Sequence, residues 1–168
     1  MNERECQLAI YTDRFLGGHR FYFPNVCHYK WESDLISVTK SKFVYEYEIK
    51  TTKGDFKADF KKKAKHELIA TGTLENSRFG NGWRVEDGLK RPNYFYYACP
   101  EYIIHTREVP EYAGLIYCYR SGKNFDYTIK KRAPRLHNEK ITKKELTRIV
   151  ISNYFKIWKL LKKYRQKK

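Results

Sequence analysis

Apolar and polar positions are most regularly arranged between Trp31 and Lys50, which read WESDLISVTKSKFVYEYEIK. Asp34 opens a short apolar run, Leu35-Ile36-Ser37-Val38. Lys40-Ser41-Lys42 forms a polar break. A second run climbs from Phe43 to Lys50 through aromatic and β-branched residues. Two such runs about a polar break predict a strand hairpin. Side chains along a strand alternate between faces. Val44, Glu46, Glu48 and Lys50 therefore share one face, and Phe43, Tyr45, Tyr47 and Ile49 share the other. Charges on a strand this apolar need partners or a metal, because an unpaired buried charge costs several kcal/mol.

The flanking segments supply helices and further strands. Asn2 and Glu5 have the spacing of a capping box, and Leu8, Tyr11 and Phe15 follow at helical spacing before Gly17-Gly18. Phe21 to Tyr29 predicts a strand broken at Pro24-Asn25. After the hairpin, Asp55 reads as an N-cap for one helix with Phe56, Phe60 and Ala64 on its apolar face. Lys57, Lys61, Lys62 and Lys65 fall on the opposite side, and His66 at its end reads as a capping or packing residue. Leu74 to Pro92 is polar and glycine-containing and reads as a long loop, with Trp83 and Arg84 in it. Asn93 to Ala98 predicts a strand closed by Pro100. Leu115–Tyr119 and Phe125–Lys130 predict a second hairpin about Ser121-Gly122. Thr142 and Glu145 repeat the capping box and open a helix to Tyr164, roughly 34 Å long at 1.5 Å per residue. Its apolar stripe is Leu146, Val150, Asn153, Ile157, Leu160 or Leu161, and Tyr164.

Composition narrows the partner. The 168 residues carry 35 Lys and Arg against 19 Asp and Glu, a net charge of +16. A field of that sign attracts polyanions, and nucleic acid is the commonest large one. Aromatics make up 17% of the chain, and tyrosines interleaved with lysines suit base stacking beside phosphate contacts. Cys6, Cys27, Cys99 and Cys118 show no CxxC spacing and read as reduced, buried thiols. No apolar run approaches membrane-spanning length, and the polar N-terminus carries no signal-peptide pattern. The expectation is one cytoplasmic domain with no membrane partner. No repeat or low-complexity linker divides residues 1–168.

Asp34 at a strand start, a turn, a strand ending Glu48-Ile49-Lys50 and a following helix together resemble the PD-(D/E)XK nuclease superfamily. Asp55-Phe56, Asp59, Lys61 and Lys65 after the strand, then Ala98-Cys99-Pro100 and Val109-Pro110-Glu111-Tyr112-Ala113-Gly114-Leu115, are similar to its MmcB-like DNA-repair branch. The likeness covers about residues 30 to 120. Ser33 stands where the superfamily pattern often has proline. The resemblance implies a mixed α/β fold with a restriction-endonuclease-like αβββαβ core over about residues 1–120, to which the sequence pattern adds a hairpin and a basic C-terminal helix over about 142–166. It implies a nuclease that hydrolyses DNA phosphodiesters with Mg²⁺ or Mn²⁺, more in the manner of an endonuclease, in the repair, recombination or DNA processing of a bacterial or phage-infected cell.

It also implies residue roles, and elementary chemistry agrees with them. Mg²⁺ takes hard oxygen ligands, commonly one or two carboxylates with water and phosphate. Asp34 and Glu48 would supply carboxylates and Ile49 its carbonyl. Lys50 would orient or deprotonate the attacking water, or stabilise transition-state charge. Lys53, Lys57, Lys61 and Lys65 would contact phosphate. Glu46 either supports Glu48 or pairs with a lysine at the surface, and the surface pairing is the simpler expectation. Glu5 is either a helix cap or an auxiliary acid of the metal site. A homodimer is a further expectation, because branched-DNA enzymes of the superfamily often pair. The rival readings are a non-catalytic nucleic-acid binder on the same fold and a factor that binds an acidic protein.

Overall fold

In a computed structural model, residues 1–12, 18–29, 31–73 and 90–165 are described. Their elements follow the order α1 (Glu3–Thr12), β1 (His19–Cys27), β2 (Glu32–Thr39), β3 (Val44–Ile49), α2 (Lys53–Asp59), α3 (Lys63–Thr71), β4 (Tyr94–Pro100), β5 (Ala113–Ser121), β6 (Asn124–Lys131) and α4 (Lys143–Arg165). The six strands form one sheet in sequence order. The first three are antiparallel neighbours; β3–β4 and β4–β5 are parallel, and β5–β6 closes as an antiparallel hairpin. The fold is mixed α/β, with the expected helix, three strands, helix and strand followed by a hairpin and a long helix.

The alternation in β3 divides the core as its sequence requires. Tyr47 and Ile49 join Leu35, Ala98 and Ile116 beneath Cys6, Ala9 and Ile10 of α1. The other face packs Phe95, Tyr97 and Leu115 against Phe56 of α2 and Ile69 of α3. A third cluster sets Val26, Ile36, Val38 and Val44 against Ile141 and Ile149. The hairpin turn holds Lys42 at φ 68. Asn2 and Glu5 exchange backbone–side-chain bonds of 2.9 Å and cap α1; Thr142 and Glu145 do the same for α4.

Four local expectations change. Strand β1 runs unbroken through Pro24-Asn25, because it is a sheet edge, where a missing N–H is tolerated. The helix expected from Asp55 to His66 is two helices. Thr52, not Asp55, is the N-cap, its hydroxyl accepting the Asp55 N–H at 3.1 Å. The chain leaves the helix at Phe60 and re-enters at Lys63 with no Gly or Pro between, so tertiary contacts override helix propensity there. Of the expected apolar stripe of α4, Leu146 packs on the core beside Ile149, which the stripe did not include, while Val150, Ile157, Leu160 and Leu161 are exposed. Phe15, Gly17, Trp83 and Arg84 lie outside the described residues.

Gly114 is demanded by close packing. A Cβ there would stand 2.3 Å from the Tyr96 ring and 2.7 Å from the Ala133 backbone nitrogen. Gly114→Ala is expected to cost about 1–3 kcal/mol through overpacking. Thermal denaturation measures this, and an unchanged midpoint would contradict the packing described.

Candidate functional site

The site lies where the hairpin ends under α2 and α3. Leu35 pairs with Tyr47 and Ile36 with Glu46, so the antiparallel register brings Asp34 across from Glu48. Opposed residues of an antiparallel pair point to the same face. The Asp34 carboxylate accepts the Ile49 N–H at 2.6 Å, and the Asp34 carbonyl accepts Gln7 Nε2 of α1 at 2.8 Å. Lys50 N–H bonds the Ala98 carbonyl at 2.9 Å, which extends the parallel ladder one residue beyond β3.

Glu46, Glu48, Lys50, Asp59 and Lys65 are all at most 6% exposed. Lys50 Nζ donates to Glu48 at 2.8 Å and to Asp59 at 3.3 Å. Lys65 donates to the other oxygen of Glu48 and lies 3.7 Å from Glu46. Lys62, half exposed, reaches Asp59 at 2.8 Å and Glu48 at 3.4 Å. Glu48 thus meets three ammonium groups. Trp31 Nε1–H donates to Glu46 Oε1 at 2.6 Å, while among the described residues Glu46 Oε2 and the Ser33 hydroxyl are buried with no partner at full hydrogen-bond geometry. The Tyr97 hydroxyl donates to Asp59 at 3.1 Å. His66 Nε2 faces the Asp59 carbonyl and carboxylate, and Nδ1 meets the Tyr112 hydroxyl at 2.8 Å. In the neutral ring, Nε2 therefore carries the proton.

Electrostatics divide these groups. Burial alone would raise the Asp59 pKa. Hydrogen bonds from His66 and Lys62 and the charges of Lys65 and Lys50 overcome it and hold this acid well below the usual carboxylate range. Burial disfavours the Lys50 ammonium, but Glu48 and Asp59 outweigh it and raise its pKa. Lys50 is therefore a cation at neutral pH, suited to orienting an anion or water rather than accepting a proton. Burial raises Glu46 against the pull of Lys65 and Trp31. Asp34 is pushed up to about 7 by burial and by the charge of Glu48, with only partial relief from the Ile49 N–H.

Asp34, Glu48, Ile49 and Lys50 are brought together as expected. Lys57 and Lys61 are exposed. Three expectations need correction. Lys65 is not a solvent-facing phosphate contact: the break between α2 and α3 turns it inward onto Glu48, with its ammonium over the Trp31 and Phe95 rings. Glu46 is fully buried rather than paired at the surface. Lys53 is occupied by Glu108. Glu5 caps α1 and pairs with Arg120. Sequence reasoning passed over Asp59, Tyr97 and Tyr112 as partners of His66 and the lysines. Their only signal was an acid four residues after Asp55.

A separate cavity of about 280 Å³ lies near His28, Tyr29, Lys90, Arg91 and His137. The Arg91 guanidinium there is spent on the carbonyls of Ile69, Ala70 and Leu136, which ties the end of α3 to the following chain. The described residues gather no group of three or more His, Cys, Asp and Glu side chains that could hold a metal. Nor do they form a helix long and apolar enough to cross a membrane.

No protein-family model matches the chain, and no curated protein sequence does. Among solved structures it is similar to a protein of unknown function from Silicibacter pomeroyi, with a TM-score of 0.60 and 13% identity over 98% of this chain and 92% of that one. At that identity the likeness is one of fold.

Two outcomes follow from the site. Lys65→Met leaves Glu46 and Glu48 short of a buried partner and is expected to cost about 3–5 kcal/mol. Lys57→Met, on the exposed side of α2, should stay within about 0.5 kcal/mol of wild type. Urea denaturation compares them, and equal small effects would contradict the buried network. The second outcome concerns pH. A carboxyl whose folded pKa lies above its unfolded value of 3.8 binds its proton more tightly when folded. Wild type should therefore lose stability relative to Asp34→Asn as pH rises from about 4 to about 7. Parallel pH profiles would show that Asp34 is not held under this pressure.

Proposed function

We propose that the chain is a divalent-metal-dependent nuclease acting on DNA phosphodiesters, with a PD-(D/E)XK-type site. The observation that carries the reading is the convergence of Asp34, Glu48 and Lys50 on one face of adjacent strand ends. The sheet order, with three antiparallel strands leading through helices to a parallel fourth, supports it.

The residues fit a hard cation. Asp34 and Glu48 offer carboxylate oxygens and Ile49 a carbonyl, the donor class Mg²⁺ and Mn²⁺ take. Asp34 bears an acid–acid repulsion from Glu48 that no lysine contact relieves as fully as at Asp59. When bound there, the cation would supply an activated water and charge neutralisation at phosphorus. Lys50, fixed between Glu48 and Asp59, presents a positive charge where negative charge develops on phosphate oxygens. Lys57 and Lys61 offer solvent-facing cations that hold the backbone in register without reading bases.

A second reading rests on a specific observation: Glu48 already has Lys50, Lys62 and Lys65 around it. Those ammonium groups do the work of a cation in a binding module that performs no cleavage. Incubation with plasmid, single-stranded and branched DNA in Mg²⁺ or Mn²⁺ separates the two. Cleavage by wild type that falls at least a hundredfold in Asp34→Asn supports the nuclease. Salt-sensitive binding with no cleavage, unchanged by metal or by Glu48→Gln, overturns it in favour of the binder.

A further inference from the structure

Helix α4 turns its large apolar side chains outward. Leu146 and Ile149 pack on the β1 edge, and Lys156 faces Glu32 at 3.9 Å. The domain thus holds the helix along the row of Leu146, Ile149, Asn153 and Lys156. Away from that row, Tyr154, Phe155 and Trp158 are 54%, 59% and 49% exposed, and Ile151, Ile157 and Leu161 are similar. Soluble surfaces scatter such residues singly; here they are contiguous. Counting half of each large side chain, the helix exposes on the order of 800 Å² of apolar surface, beyond the ~300–600 Å² of the largest patch on an ordinary monomer.

The spacing within the patch identifies a partner. Ile151, Tyr154, Trp158 and Leu161 are separated by three, four and three residues, the repeat of a helix seam that receives another helix. Val150, Phe155 and Ile157 flank the seam and widen it. Lys156, Lys159 and Lys163 fall on the far side of the helix from it, while Lys162, four residues after Trp158, borders it. The seam and its flanks together approach the roughly 800 Å² a side of a standard interface.

We infer that α4 is a dimerisation element, its Ile151–Leu161 seam packed against the same seam of a second copy of this chain. A closed pair with twofold symmetry uses one patch on both copies. Charge fixes the direction. No acid occurs from Leu146 onward, while cations accumulate toward the end of the chain. Antiparallel pairing keeps the two basic ends apart. Parallel pairing would place them side by side. The inference does not depend on the nuclease reading.

Light scattering after size exclusion, on nuclease-treated protein in moderate salt, tests it. Wild type is expected at twice the chain mass and at one chain mass on dilution. Trp158→Glu with Leu161→Glu is expected at one chain mass throughout, and Ile151→Glu should weaken association in the same direction. These positions are exposed, so an unaltered circular dichroism spectrum checks that the variants fold. If a variant does not fold, concentration-dependent burial of the tryptophans in wild type, read as a blue-shifted emission, is the deciding measurement. A wild type that stays monomeric at all concentrations overturns the inference, as does a dimer unaffected by the substitutions. Monomers that sediment with phosphatidylglycerol vesicles but not with phosphatidylcholine vesicles overturn it in favour of an anionic lipid surface.

Discussion

Three buried carboxylates, Glu46, Glu48 and Asp59, must be neutralised for this sheet to close under its helices. Desolvating each costs several kcal/mol, and only close pairing with good geometry returns it. Lys50 and Lys65 do this from inside the protein and Lys62 from its rim. The requirement shapes the backbone. A helix running straight from Asp55 to His66 would leave Lys65 on its solvent side. By ending α2 at Asp59 and starting α3 at Lys63, the chain directs Asp59, Lys65 and His66 toward the end of β3. Lys50 then joins hairpin and helix by touching both Glu48 and Asp59.

The cluster is unevenly compensated, and its chemistry follows from that. Around Asp59, two lysines, His66 and the Tyr97 hydroxyl converge, and the acid stays ionised far below neutral pH. Across the hairpin, Asp34 has the Ile49 N–H and the repulsion of Glu48. Glu48 touches both, standing opposite Asp34 and bonding Lys50, Lys62 and Lys65. The structure thus has a lysine-filled interior that anchors α2 and α3, and an edge where Asp34 stands across the hairpin from Glu48 and accepts the Ile49 N–H. The interior is a stability device. The edge is where added positive charge would relieve the most repulsion.

The fold was legible where local pattern and tertiary need agree. The period-two alternation of Phe43 to Lys50 set the strand and its two faces correctly, and the paired caps Asn2–Glu5 and Thr142–Glu145 marked helix starts. The convergence of Asp34, Glu48 and Lys50 was legible because a hairpin register follows from its turn. The break at Phe60–Lys62 was not, because no Gly or Pro signals it and the force that makes it is a charge network assembled from distant segments. For the same reason Lys65 and Glu46 read as surface residues: a lysine on a helix and a glutamate on a strand look solvated until the partner is known. Asp59 and Tyr97 meet only after β4 pairs in parallel with β3, a contact across nearly forty positions that no local spacing encodes. On α4 the apolar stripe was visible, but which side the domain would take was not.

A metal centre at the hairpin end requires that Asp34 and Glu48 face a common point that welcomes a divalent cation. Calorimetric titration of Mn²⁺ into the wild-type protein and into Asp34→Asn, without nucleic acid, is the most direct measurement of it. Saturable binding to wild type that weakens at least tenfold in the variant is the predicted result. Absent binding, or binding equally tight in both proteins, would mean that the lysines alone complete the cluster and that the hairpin end is no metal centre.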